Sequence, residues 1–199
     1  MGRRSVVRRQ PLFTGVALLV LVLPVAAADP PEAERARAVA AQVLEQTKSV
    51  LQSALSGGQP AAALRVCASV AGDIARKHEQ QGWRVRRVSD RVRNPADTPD
   101  AYEREVLRAW QEEKMAGRLA PTTERQEIVT EAGQRDLRYM RPIFIAAPVC
   151  LQCHGEPAKL APGVAEALKE LYPDDQATGY SLGDLRGAIS VRIPLGAPR

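Results

Sequence analysis

Apolar residues recur at helical spacing through the first half of the chain. Val39, Val43, Val50 and Ala54 fall on one stripe and predict a long helix over residues 32–55, which Gly57-Gly58 ends. A second helix over 60–79 starts on Pro60, a favourable first-turn residue, and gathers Ala63, Cys67, Val70 and Ile74 on one face. Tyr102, Val106, Ala109 and Trp110 mark a third helix over 99–116. The period then changes. Residues 83–88, 127–130, 137–145 and 187–194 read as strands, and Ala132-Gly133-Gln134 forms the turn of a hairpin. A short helix over 164–171 stops before Pro173. The predicted class is α+β, with helices first and a small antiparallel sheet built mainly by the second half.

The N-terminus follows a different pattern. Arg3, Arg4, Arg8 and Arg9 precede an apolar run from Leu12 to Val25, and Ala26-Ala27-Ala28 then leads into Asp29-Pro30-Pro31. This three-part order predicts a secretory signal peptide over residues 1–28 and one exported, periplasmic domain over 29–199. The apolar run falls short of the roughly 20 residues that span a bilayer, so no membrane span is expected after cleavage. Four of the 28 basic residues and none of the 23 acidic ones lie in 1–28, leaving the remainder close to neutral. Arginines cluster at 84, 86, 87, 91 and 93, but few aromatics interleave with them, which argues against a nucleic-acid partner.

The candidate chemistry lies in Cys150-Leu151-Gln152-Cys153-His154, the C-x-x-C-H pattern of covalent haem attachment. Two thiols at this spacing add to the two vinyl groups on one porphyrin edge, and the adjacent imidazole is set beneath the iron as proximal ligand. A thioredoxin-like dithiol would need a βαβ setting, whereas Ala147-Pro148 and Gly155-Glu156-Pro157 predict a loop. A structural zinc site would need a second pair of ligands, and there is no second C-x-x-C. One covalent haem c is the expected cofactor.

Spacing alone leaves the opposite side of the iron open among Cys67, His78, Met115, Met140 and no protein ligand. Met115 falls on the far side of its helix from Val106 and Trp110. Met140 reads first as a core methionine, and His78, between Lys77 and Glu79, as a solvated histidine. Cys67 is the odd thiol of three in a chain expected to be exported, where coordination would protect it. Gly72 in the same helix would let a flat ring approach closely. His78 lies about 16 Å along a helix from Cys67, so one iron can use only one of them.

Four segments resemble one known family. They are Ala62-Ala63-Leu64-Arg65-Val66-Cys67, then Arg87-Val88-Ser89-Asp90-Arg91-Val92-Arg93-Asn94-Pro95 with Pro99 and Glu103 downstream, Cys150-Leu151-Gln152-Cys153-His154-Gly155, and residues 172–191, from Tyr172-Pro173-Asp174-Asp175 to Gly187-Ala188-Ile189-Ser190-Val191. The chain is similar over nearly all of 29–199 to the PAS-like periplasmic c-type haem domains with histidine and cysteine axial ligands, a family first described as a domain of unknown function. The resemblance implies a PAS-like fold, Cys150 and Cys153 as thioether anchors, His154 as proximal ligand and Cys67 as distal ligand. Members of that family also occur as the sensor regions of larger signalling proteins.

Two functions follow as expectations. A thiolate-ligated iron that loses its sulfur on reduction would act as a redox or small-ligand sensor, taking a diatomic gas and signalling to a protein partner. An iron that keeps both ligands would be a low-potential electron carrier. Peroxidase chemistry needs an open iron and a distal acid–base group, and His78 is the only spare histidine. Arg91, Arg93, Arg138 and Arg141 are candidates to pair with the haem propionates. A four-helix cytochrome would carry its C-x-x-C-H near the chain end, yet a predicted strand follows His154 here. A small cytochrome with a late methionine ligand is ruled out, because no methionine follows His154.

Overall fold

The computed structural model describes residues 31–196 together with Gly2, so the predicted signal peptide over 1–28 lies, Gly2 apart, outside the described residues. Helices α1 (Pro31–Leu55) and α2 (Pro60–Arg76) come first, followed by strand β1 (Arg84–Val88) and helix α3 (Ala101–Met115). The hairpin β2 (Arg125–Glu131) and β3 (Gln134–Phe144) precedes two short helices, α4 (Leu151–His154) and α5 (Val164–Leu171), and strand β4 (Leu185–Gly196). The strands form one antiparallel sheet in the order β1-β4-β3-β2, as the α+β expectation required. Among the described residues, no helix is long and apolar enough to cross a membrane.

Each face of the sheet carries a helix, because inward side chains alternate along every strand. Val85, Tyr139, Ile189 and Val191 face α1, which meets them through Ala33, Ala36, Ala40 and Val43. The predicted valine stripe shares this face only in part, with Val39 and Val50 partly buried. Alanine carries the contact because its single methyl lets the helix lie close to the sheet. On the other face, Val106, Leu107 and Trp110 of α3 pack on Val88, Met140 and Ala188.

Local signals place the boundaries. Asp100 caps α3 rather than Pro99 starting it. Its carboxylate accepts from the Glu103 N–H at 2.8 Å, and Glu103 returns a carboxylate to the Asp100 N–H at 2.8 Å. The β2–β3 loop has two central residues, Ala132 and Gly133, both with positive φ (49° and 78°), the backbone that matches the twist of a hairpin. Helix α2 ends at Arg76, three residues early, where the chain turns toward β1.

The register also requires a glycine. At the start of β4, a Cβ on Gly187 would stand 2.2 Å from the Val88 carbonyl oxygen on the neighbouring strand. Gly187→Ala is expected to cost about 1–3 kcal/mol through the forced separation of β1 and β4. Urea denaturation should show a lower midpoint with an unchanged slope.

Candidate functional site

The C-x-x-C-H segment lies between β3 and β4, at the end of the sheet where β3 finishes and β4 begins. After Ile145, a single 3-10 turn over Pro148–Cys150 runs into α4, so Cys150, Cys153 and His154 sit on about one helical turn. All three cysteines carry free thiols and all are half-buried. Cys150 packs toward the Ile145–Ala177–Tyr180 cluster, and Cys153 toward Leu64, Val164 and Leu168.

The segment 175–180 holds the imidazole. Nδ1 of His154 lies 2.7 Å from the Ala177 carbonyl oxygen. A carbonyl only accepts, so Nδ1 carries the proton and Nε2 keeps its lone pair, the tautomer a metal requires. The main chain ties the same segment down: Tyr180 N–H donates to the His154 carbonyl at 2.9 Å, and Gly179 N–H to that of Gly155 at 2.6 Å. Tyr180 stands edge-on to the His154 ring at 6.1 Å.

Three arginines, Arg186, Arg93 and Arg87, act on the histidine. Burial first, then the charges of Arg186 and Arg93, hold its pKa well below the usual imidazole value, against the opposing bond to Ala177. The ring is therefore neutral and ready to ligate at physiological pH. Arg93 is buried against Asp175, with Nε to Oδ1 at 2.9 Å and Nη2 to Oδ2 at 3.1 Å. Its Nη2 also donates to the Cys153 carbonyl at 2.7 Å. Arg186 bonds to Ser89 Oγ at 2.7 Å. Arg91 stacks on the Tyr180 ring at 4.1 Å and donates to the carbonyls of Gln176 and Thr178. A cavity of about 240 Å³ opens beside this stack, with Arg91, Tyr180 and Arg186 in its wall.

The structure brings Cys67 to the same place. Helix α2 packs against α4 and α5, and Leu64, one turn before Cys67, joins the cluster that holds Cys153. Burial pushes both thiols up. Arg87 opposes this at Cys67, Arg93 opposes it at Cys153, and the Cys67 sulfur adds to the rise at Cys153. The other candidates stand apart. Met140 is a core residue with zero exposure beneath α3, Met115 is 72% exposed, and His78 sits beyond the end of α2 with Nε2 3.2 Å from Gln46 Oε1.

The four arginines named from the sequence divide. Arg91 and Arg93 are at the site. Arg138 is buried toward the other end of the sheet, paired with Asp100 at 2.7 Å and Glu103 at 3.5 Å. Arg141, opposite Ile189, lies on the face that meets α1. Sequence reasoning missed Arg186, Tyr180 and the Ala177 carbonyl as parts of the site.

The donor set fits a haem: two thiols one turn apart, an imidazole with Nε2 free, and a third thiol on a facing helix. Among the described residues, no group of three or more His, Cys, Asp or Glu gathers for a bare metal ion. Residues 27–194 match the Tll0287-like family, and the chain belongs to it. Among solved structures it is similar to the cyanobacterial heme-protein Tll0287, at 26% identity and a TM-score of 0.65, over 86% of this chain and all of that one. No curated protein matches.

Proposed function

We propose that this chain binds one haem c, with Cys150 and Cys153 as thioether anchors and His154 and Cys67 as the axial pair. We further propose that it serves as a redox or small-ligand sensor. The observation that carries the reading is the His154–Ala177 bond, which leaves Nε2 to the iron beside two attachment thiols. Membership of a family whose solved relative is a heme protein supports it. The small antiparallel sheet behind a long N-terminal helix fits a PAS-like domain, and the N-terminal pattern of residues 1–28 fits export to the periplasm.

A bound haem would supply one-electron chemistry; the chain's residues decide how it is held and reached. His154 is fixed by its carbonyl partner and by the ties of segment 175–180. Cys67 belongs to a separate helix, and burial favours its protonated thiol once it is released. Release of Cys67 would loosen the hold of α2 on the haem loop, which Leu64 still packs against, and would open a site for a diatomic gas, a change a protein partner could read. A carbon monoxide titration of the ferrous protein tests the sensor reading. One equivalent should bind with displacement of the sulfur. No binding, with identical coordination in both oxidation states, would leave an electron carrier instead.

A further inference from the structure

The Ala177 carbonyl has two donors. His154 Nδ1 donates at 2.7 Å, and Arg93 Nη2 donates to the same oxygen at 3.1 Å. A neutral carbonyl on Nδ1 normally raises the basicity of a ligating imidazole, because the acceptor draws the proton and pushes electron density toward Nε2. A guanidinium on that acceptor works the other way. It takes electron density from the oxygen and weakens its pull on the imidazole proton.

The arrangement is built for a fixed effect. Arg93 is 9% exposed, its Nη2 is shared among the Asp175 carboxylate, the Cys153 carbonyl and the Ala177 carbonyl, and the Ala177 N–H returns to Asp175 Oδ1 at 3.0 Å. The buried pair thus holds both the N–H and the carbonyl of Ala177. It is also close to electrically neutral, so its main action on the site is through hydrogen bonds rather than net charge.

We propose that Arg93, poised by Asp175, is a positioning residue that limits electron donation by His154 through the Ala177 carbonyl they share. This rests on the haem reading above. Asp175 then acts as the opposing control, since it draws the guanidinium toward itself and away from the carbonyl.

Two variants of the haem-loaded protein test this in a Cys67→Ala background, where His154 is the sole protein ligand. Arg93→Gln with Asp175→Asn removes both charges together and replaces the charged donor with a neutral amide. The ferrous iron–histidine stretch in resonance Raman should rise, and the reduction potential should fall by the equivalent of about tenfold in the oxidised-to-reduced ratio, about 59 mV for one electron. Asp175→Asn alone frees the guanidinium for the carbonyl and should move both readouts the opposite way. It also keeps the proposal testable if the double variant fails to fold. A stretch unchanged in the folded, haem-loaded variants would overturn the proposal, even if the potential moved, since distant charge alone would then suffice. Absence of covalent haem from the wild type, read by mass and pyridine haemochrome, would instead overturn the haem reading.

Discussion

Cys67→Ala is expected to abolish the low-spin thiolate signature in the ferric electron paramagnetic resonance spectrum and to raise the reduction potential by roughly 100 mV or more, within the ~0.8 V range that axial ligands span. A thiolate adds a full negative charge beside the iron and so stabilises the ferric state. Its loss leaves the neutral imidazole of His154, already bonded to Ala177, as the only protein donor. The fold should tolerate the change, because Cys67 is half-buried and the α2 contacts run through Leu64, Ile74 and Ala75. The thermal midpoint of the chain should therefore stay near that of the wild type. A thiolate signal that survived the substitution would sink the assignment, since the proposal gives the other two cysteines to the porphyrin edge.

Replacing Cys150 and Cys153 together with serine should remove covalent haem almost completely. Acidified organic solvent would then extract the colour from the variant and leave it in the wild-type protein. Either single replacement should retain one thioether and a shifted haemochrome band. The two thiols differ in setting: Cys150 faces the Ile145–Ala177–Tyr180 cluster, and Cys153 faces the α2–α5 cluster. Cys153 also has its carbonyl held by Arg93, so the Cys153 variant is expected to keep the correct loop geometry and lose only the bond. Covalent haem that persisted in the double variant would refute the attachment sites.

The C-x-x-C-H motif was legible as a candidate because the chemistry it suits fixes its spacing within five consecutive residues. The elements were legible too, since helix caps and alternating strands are local. What escaped the sequence depends on distance and on the main chain. Arg93 reaches Ala177 across 84 positions, and a backbone carbonyl leaves no residue-type signature to search for. Arg138 reads like Arg93 in the sequence, yet the sheet carries it away to Asp100 and Glu103. Met140 looks like a ligand candidate only until α3 covers it. Cys67 became a candidate through its odd count, but only the packing of α2 on α4 brings it beside Cys153.

The sheet order sets a timetable for assembly. Strand β4 is central but follows the haem loop in the chain, and its pairing of Ala188 with Val88 closes a span of about 100 residues. Such long closures form late. Segment 175–180, which fixes the His154 tautomer, leads directly into β4 and is itself tied to the loop through His154 and Gly155. Until β4 pairs, the segment with the two thiols is joined to the sheet at one end only, through β3. Once β4 pairs with β1 and β3, the two internal strands close the loop from both ends, so residues far along the chain complete a site whose motif is local.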